Sequence, residues 1–199
     1  MKKLFSVLFV ALMCFQHVSA QGKTYRDSLI AYQKNYVATH EVVGKADRKF
    51  IHFFPINESY RVHASFEKIN DSVGFDMPTS SGIKKKHYKY GHLTFRLHGA
   101  VVKLWVYQSD ALMKQPALKD YLFVPFRDAT SGFTSYGGGR YLEFYIYDIK
   151  DNQLTFDFNK AYNPYCAYTT GYNCPLPPIE NTLAVAIEAG EKNYGKPVH

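Results

Sequence analysis

Beyond residue 50, apolar and polar residues alternate along most of the chain, and this period of two predicts β-strands. In the clearest stretch Tyr60, Val62, Ala64 and Phe66 are separated by polar residues. Successive side chains of a strand point to opposite faces of a sheet, so such a stretch has one apolar face. Strands are predicted over residues 49–54, 60–69, 75–77, 92–98, 101–107, 121–126, 141–149, 154–158 and 182–189.

One stretch before the strands follows a helical period instead. Tyr25, Leu29, Tyr32 and Tyr36 recur every three or four residues and predict a helix over residues 24–40. A leading helix and eight or nine short strands with tight connections predict a mainly β fold. We therefore expect an antiparallel sandwich or barrel with one N-terminal α-helix.

Turn residues separate the predicted strands. Gly99 and Ala100 lie between two alternating runs, and a glycine in the first position favours a type II′ turn. The sequence therefore predicts a β-hairpin there.

The first 20 residues are predicted to be an export signal. Lys2 and Lys3 precede an apolar run from Leu4 to Phe15, and small residues ending at Ala20 form the cleavage site. The run is shorter than the roughly 20 residues that span a bilayer, so we expect no stable membrane insertion. Residues 21–199 are then a single β-rich domain in the periplasm or outside the cell.

Cys166 and Cys174 are the only cysteines beyond the predicted signal. An even number of cysteines in an exported chain predicts a disulfide, here closing a short loop. A zinc or redox site would favour Cys-x-x-Cys spacing or clustered histidines, which the sequence lacks. No metal and no cofactor is predicted.

The formal net charge of +7 includes a short lysine run at residues 84–86. Nucleic-acid binding would require a basic stripe interleaved with aromatic residues, and the other lysines are dispersed. We therefore expect no nucleic-acid partner, while a weak preference for anionic ligands remains.

Five of the 13 glycines, both cysteines of the predicted disulfide and a dense set of polar groups lie between residues 126 and 178. Asp128 and Arg140 flank the glycine-rich loop, and a guanidinium there would bind a carboxylate or phosphate through two hydrogen bonds. Alternatively, Asp128 and Arg140 pair with each other and hold the loop. Asn181, Glu188 and Glu191 are expected at a solvated strand edge.

Four motifs carry a resemblance to a known family: PFRDxTxG, YGGGRY, DFNxAYNPxC and CPLPPxEN, at residues 125–132, 136–141, 157–166 and 174–181. Together they resemble the signature of a bacterial domain-of-unknown-function family, family 1684. The resemblance implies an exported or cytosolic β-rich domain and brings no activity with it.

We predict that the protein binds a small polar or anionic ligand at the glycine-rich and proline-rich loops, where polar groups converge. The candidate lining consists of Arg127, Asp128, Thr130, Tyr136, Arg140, Asp157, Asn159, Tyr162 and Asn163.

Two other functions fit the same residues. A hydrolytic enzyme would use Asp128 or Asp157 as a base and Arg140 to stabilise negative charge. Glu143 and Asp157 are a candidate carboxylate pair, which in glycosidases lies about 5 to 9 Å apart. A protein-interaction module would instead use a tyrosine-rich face that includes Tyr141, Tyr145 and Tyr147.

Overall fold

A computed structural model of the protein describes residues 24–196, and the predicted export signal lies outside these residues. The chain divides into two compact units at the boundary between Thr39 and His40. Within the described residues, no helix has both the length and the apolarity needed to cross a membrane.

In the first unit, residues 24–39 form helix α1, which confirms the predicted helix. The rings of Tyr32 and Tyr36 lie one turn apart, with centroids separated by 6.4 Å. Near the end of the helix, the Thr39 hydroxyl donates a hydrogen bond to the carbonyl of Asn35 at 2.8 Å. The helical spacing of the tyrosines is therefore present in the structure as the sequence predicts.

The second unit is built on one curled, half-barrel sheet whose seven strands pair antiparallel, which confirms the mainly β prediction. The strand order is β6-β5-β4-β3-β1-β7, and β2 pairs with β3. The strands are β1 (Arg61–Lys68), β2 (Phe75–Pro78), β3 (Lys84–Leu97), β4 (Ala100–Ser109), β5 (Tyr121–Phe126), β6 (Arg140–Tyr145) and β7 (Gln153–Asp157).

Short helical segments connect the strands. Helix α2 spans Asp110–Met113. Single turns of 3-10 helix cover Lys45–Phe50, Glu58–Tyr60, Pro116–Leu118, Ile146–Asp148, Phe158–Lys160, Tyr165–Ala167 and Ile179–Asn181.

The main hydrophobic core covers one face of the sheet. In β1, Val62, Ala64 and Phe66 are buried and their neighbours are exposed, as the alternation predicts. Because side chains alternate along β5 and β6, Phe123 and Tyr141 point to the opposite face and belong to a second, smaller cluster. Part of the predicted tyrosine face is therefore buried.

Two predicted strands are wrong. Residues 49–54 begin in the turn Lys45–Phe50 and make a single bridge rather than a ladder, and residues 182–189 are irregular. Residues 182–189 bury apolar side chains at strand-like intervals, for example Leu183 and Ile187, whereas Ile51 and Phe54, the buried residues of the first segment, are three apart. The pattern indicates which residues are buried, but an irregular segment lying on a core can show the same spacing.

The predicted hairpin exists, but its turn is one residue earlier. Leu97 pairs with Ala100, so the two loop residues are His98 and Gly99, at φ values of 49° and 84°. Two positive φ values define a type I′ turn, which corrects the predicted type II′ turn. A residue other than glycine seldom has a positive φ, so the sequence pattern predicts His98 at the end of the strand instead of in the turn.

Candidate functional site

Arg140 and Asp128 form a fully buried ion pair, with 2.8 Å between Arg140 Nη2 and Asp128 Oδ2. Arg140 is the first residue of β6 and points to the same face as Leu142, which is why its side chain enters the core. Its guanidinium lies between the rings of Phe54 and Phe126, 5.6 and 5.4 Å from their centroids.

Main-chain carbonyls complete the surroundings of the guanidinium. Arg140 donates to the carbonyls of Ile187, Ala189 and Glu191. Burial lowers the pKa of Arg140, and the charge of Asp128 opposes that shift. The guanidinium therefore binds an internal segment of the chain as well as Asp128.

The carboxylate of Asp128 is equally occupied. Its Oδ1 accepts from the amide and the hydroxyl of Thr130 at 2.8 and 2.6 Å and from the Ile187 amide at 3.1 Å. With Arg140 on Oδ2, four donors meet a group that offers about four lone-pair sites. Asp128 is therefore held by four donors and has no exposed side-chain surface at which to meet water, and this geometry does not favour the hydrolase alternative.

The glycine-rich loop is shaped by close packing at Gly139. Its φ is +90°, and a Cβ there would lie 2.6 Å from both the Phe126 carbonyl and Pro177 Cγ. The Tyr136 hydroxyl reaches the carbonyl of Cys166 at 3.4 Å. Arg127 is half-buried, and its Nε has no hydrogen-bond partner among residues 24–196.

Asp157, Asn159 and Asn163 hold loops together. Asp157 Oδ1 accepts from the Asn159 amide at 2.9 Å, and the Asn159 side chain bonds both the amide and the carbonyl of Asn57. The Asn163 amide donates to the Glu191 carboxylate at 2.9 Å. Asn159 and Asn163 are each 1% exposed, so a ligand cannot reach them without opening these bonds. A ligand-binding role for the three residues stays a prediction.

Asn181 and Glu191 are completely buried, so the predicted solvated edge is wrong for both, although Glu188 is exposed. The Asn181 side chain bonds the main chain of Trp105, and Glu191 accepts from the Tyr168 hydroxyl as well as from Asn163. No local signal distinguishes these polar residues from solvated ones, because their partners lie far away in the sequence.

The disulfide between Cys166 and Cys174 is present, which confirms that prediction. The loop that it closes contacts the segment after β2. Ser80 Oγ donates to the Tyr172 carbonyl at 3.1 Å, and Lys85 Nζ donates to the Asn173 carbonyl at 2.8 Å. The disulfide loop is thereby tied to the start of β3.

Predicted residue Tyr162 meets Tyr121 and Glu143 at the surface, and we call these three residues the tyrosine–carboxylate cluster. The hydroxyls of Tyr121 and Tyr162 both donate to Glu143 Oε2, at 2.6 and 2.9 Å. Glu143 is exposed, and within the described chain its Oε1 accepts no hydrogen bond. One carboxylate oxygen is therefore directed by two tyrosines, and the other faces solvent.

Strand register brings the cluster together. Tyr121 in β5 lies opposite Tyr145 in β6, and Glu143 lies two residues earlier on the same face. Such diagonal neighbours across an antiparallel pair are within reach of an aromatic side chain. Tyr162 arrives beside β6 through a single bridge with Tyr141.

More tyrosines surround the cluster. The rings of Tyr145 and Tyr147 are stacked at 5.0 Å with an interplanar angle of 5°, and Tyr147 is 59% exposed. The Tyr121 ring meets Tyr145 edge-on at 6.0 Å. On the other side, the Tyr165 hydroxyl donates to the carboxylate of Glu41.

These phenols are held neutral. Burial, followed by the charge of Glu143, raises the pKa of Tyr121. Burial and the neighbouring Tyr121 and Glu143 likewise raise the pKa of Tyr162. The hydrogen bond to Glu41 raises the pKa of Tyr165 to about 12. The cluster therefore combines carboxylates with uncharged tyrosines.

Asp157 and Glu143 do not share partners. Asp157 caps the turn Phe158–Lys160, whereas Glu143 takes the two tyrosine hydroxyls. Among residues 24–196, no group of three or more His, Cys, Asp or Glu side chains is placed to hold a metal ion.

A second candidate site, which sequence reasoning missed, is an open cavity of about 480 Å³ between the ends of β1 and β4, the interior of β3 and helix α2. We call it the lysine cleft, because Lys68, Lys89 and Lys114 lie on its wall together with Tyr88 and Gln108. A β-bulge in β3 between Lys89 and Gly91 shapes this wall. Bulges commonly redirect side chains beside functional sites.

The curled half-barrel sheet and the N-terminal helix place the protein in the class of mainly antiparallel β domains. Within that class, the chain belongs to the family described as protein of unknown function (DUF1684), whose model matches residues 47–192. A similar solved structure is the solution NMR structure of the uncharacterized protein from gene locus rrnAC0354 of Haloarcula marismortui. It is 31% identical, with a TM-score of 0.63, and the match covers 87% of this chain and 96% of that one. No match was found among curated proteins.

Proposed function

We propose that the protein is an exported binding protein that takes a small polar ligand at the tyrosine–carboxylate cluster. The observation that carries the proposal is the carboxylate of Glu143, which is exposed and oriented by two tyrosine hydroxyls on a single oxygen. A polar group that is oriented by its neighbours and still faces solvent binds a ligand without reorganising.

The tyrosine–carboxylate cluster is a better binding site than the glycine-rich loop, because the charged side chains at the loop are already hydrogen-bonded within the protein. Both terminal nitrogens of Arg140 and both carboxylate oxygens of Asp128 already hold hydrogen bonds to each other, to Thr130 or to the main chain, and both side chains are 0% exposed. Binding a ligand there would first require separation of a buried ion pair. Only Tyr162 of the predicted lining belongs to the cluster.

Export is supported by two independent features. The sequence begins with a positively charged, then apolar, then small-residue pattern, and the folded unit contains a disulfide. Disulfides persist in oxidising compartments and are rare in the cytosol.

A thermal-shift screen against sugars, organic acids, amines and phosphates tests the proposal. A ligand at 100 times its Kd stabilises the folded state by about 2.7 kcal/mol. The stabilisation should disappear in Glu143→Gln, which keeps an acceptor for both tyrosines, and should persist in Glu188→Gln, another exposed acidic position. A ligand that stabilises Glu143→Gln as strongly as the parent would contradict the proposed site.

A second candidate function is the binding of a small anion in the lysine cleft. The specific observation is its volume of about 480 Å³, within the range of roughly 300–1,000 Å³ that is typical of ligand sites. Asp71 and Asp110 line the cleft beside its lysines. Lys89 pairs with Glu180 at 2.9 Å and Lys114 with Asp110 at 2.6 Å, so Lys68 is the lysine of the cleft that forms no ion pair among residues 24–196. Stabilisation by phosphate or citrate that is lost in Lys68→Ala and kept in Glu143→Gln would assign the function to the cleft.

A further inference from the structure

We infer that the ligand of the tyrosine–carboxylate cluster is a small organic cation, of the quaternary or primary ammonium class. This inference rests on the proposed function and names the chemical class that the same surface recognises. It is independent of the lysine cleft, which would take ligands of opposite charge.

The first argument is the sign of the charge at the surface. Four carboxylates raise the pKa of tyrosines at this surface: Glu143 that of Tyr121, Glu41 that of Tyr165, and Asp148 and Asp120 that of Tyr147. Among residues 24–196, none of the four forms an ion pair. The whole chain carries a formal charge of +7, so this local excess of negative charge is not a property of the protein as a whole.

The second argument is the supply of hydrogen-bond donors. A tyrosine hydroxyl has one hydrogen to donate. Tyr121 and Tyr162 both give theirs to Glu143, and Tyr165 gives its own to Glu41. The carboxylate oxygen that remains exposed, Glu143 Oε1, is an acceptor, which an ammonium ion can use and an anion cannot.

The third argument is the orientation of the aromatic rings. The stacked pair of Tyr145 and Tyr147 leaves the outer part of Tyr147 in solvent, and Tyr121 stands edge-on to Tyr145. A cation within about 6 Å of a ring centroid is attracted by the negative face of the ring, and aromatic surfaces of this kind recognise quaternary ammonium ligands. Glu143, two residues before Tyr145 on the same strand face, adds the counter-charge.

The test compares choline with its uncharged carbon analogue, dimethylbutanol, in which carbon replaces the nitrogen and the shape is kept. Isothermal titration of the oxidised protein should show choline binding at least about tenfold more tightly than the analogue. Glu143→Gln should weaken choline binding at least about tenfold and leave the analogue unchanged. Glu188→Gln should change neither.

The contribution of the ring is tested at Tyr147, whose exposure makes substitution compatible with folding. Tyr147→Phe keeps the aromatic face and should retain choline binding, whereas Tyr147→Leu should weaken it several-fold. Equal losses in both variants would overturn the role of the ring face.

The possible results distinguish a wrong ligand class from a wrong binding site. Equal binding of choline and its analogue would show that the ligand is not recognised by its positive charge. The same conclusion follows if choline gives no response at millimolar concentration while a sugar or another uncharged compound binds in a Glu143-dependent way. Either result overturns the inference of a cationic ligand and leaves the proposed function standing. No Glu143-dependent binding by any compound overturns both.

Discussion

The side chain of Asn181 pairs with the main chain of Trp105 as a neighbouring strand residue would. Trp105 donates its amide hydrogen to Asn181 Oδ1 at 2.7 Å, and Asn181 Nδ2 donates to the Trp105 carbonyl at 2.9 Å. The same nitrogen donates to the Pro125 carbonyl at 2.8 Å. Because β4 and β5 are paired only between Tyr107 and Phe123, this amide joins the two strands where they diverge.

Replacing Asn181 with alanine should therefore leave main-chain groups of two strands buried and unpaired. We expect the free energy of unfolding to fall by about 3 kcal/mol, because each unsatisfied buried group costs about 1–3 kcal/mol. Urea denaturation can be followed by the fluorescence of Trp105, the only tryptophan in the sequence. The exposed Asn70→Ala is the matched control and should change stability by less than about 0.5 kcal/mol.

Arg140→Met should be among the most destabilising single substitutions in the core. It leaves the carboxylate of Asp128 buried without its counter-charge, which typically costs about 3–5 kcal/mol. The double variant Arg140→Met/Asp128→Asn should be less destabilised than the two single effects added together, because the uncompensated charge is gone. Additive effects in a double-mutant cycle of urea unfolding would show that the pair is not coupled.

Gly139 and Gly171 provide a matched pair of substitutions. Their φ values are +90° and +91°, but a Cβ at Gly139 would meet Phe126 and Pro177 at 2.6 Å, whereas none of the atoms described lies within 4 Å of a Cβ at Gly171. Both alanine variants carry backbone strain of about 1–2 kcal/mol. Gly139→Ala should lose about 1–3 kcal/mol more because of overpacking. Equal melting temperatures for the two variants would refute the packing argument.

Stability should fall as the solution becomes acidic. Burial is the largest cause that lowers the pKa of His87, His92 and His40 below the ordinary histidine value. Since the unfolded chain then binds more protons than the folded one, stability is fully present above about pH 6.5 and is lost as pH falls towards the lowered folded values.

His87 gives the sharpest test of this pH dependence. Its ring is 2% exposed, and Nδ1 lies 2.9 Å from the Lys85 carbonyl, which marks Nδ1 as the protonated nitrogen of the neutral ring. His87→Gln should flatten the dependence of melting temperature on pH between about 7.5 and 5. His63→Gln, at an exposed position, should leave the slope unchanged. An unaltered slope in His87→Gln would exclude His87 as a source.

Removing the disulfide should cost about 2–3 kcal/mol, the value for closing so short a loop in the unfolded chain. The double variant Cys166→Ser/Cys174→Ser therefore should melt at a lower temperature than the oxidised protein. Mass spectrometry of the natively produced protein after alkylation should find neither thiol modified, and two modified thiols would contradict both the bridge and the proposed export to an oxidising compartment.

Period-two alternation identified the sheet well where a strand has one buried face. β1 lies within one residue of its predicted bounds because Val62, Ala64 and Phe66 are buried and alternate with exposed residues. The same rule failed over residues 49–54 and 182–189, where apolar residues are buried by irregular backbone. Alternation indicates which side chains are buried, whereas a strand forms only if a neighbouring strand is also available to pair with it.

The site was harder to predict because its geometry depends on distant contacts. Asp128 and Arg140 could be recognised as a pair from the sequence, but the carbonyls of Ile187, Ala189 and Glu191 that occupy Arg140 could not. Tyr162 was predicted, whereas its link to Glu143 depends on the bridge between Tyr141 and Tyr162. The lysine cleft depends on a bulge that no residue pattern signalled.

The carbonyls around Arg140 also make the core depend on the last part of the domain. Arg140 begins β6, whereas its three carbonyl acceptors lie in residues 187–191. A chain that ends before residue 187 lacks all three acceptors, and burying the guanidinium in it would leave a charge incompletely paired, which is strongly unfavourable. We therefore expect a chain truncated before residue 187 not to complete its core.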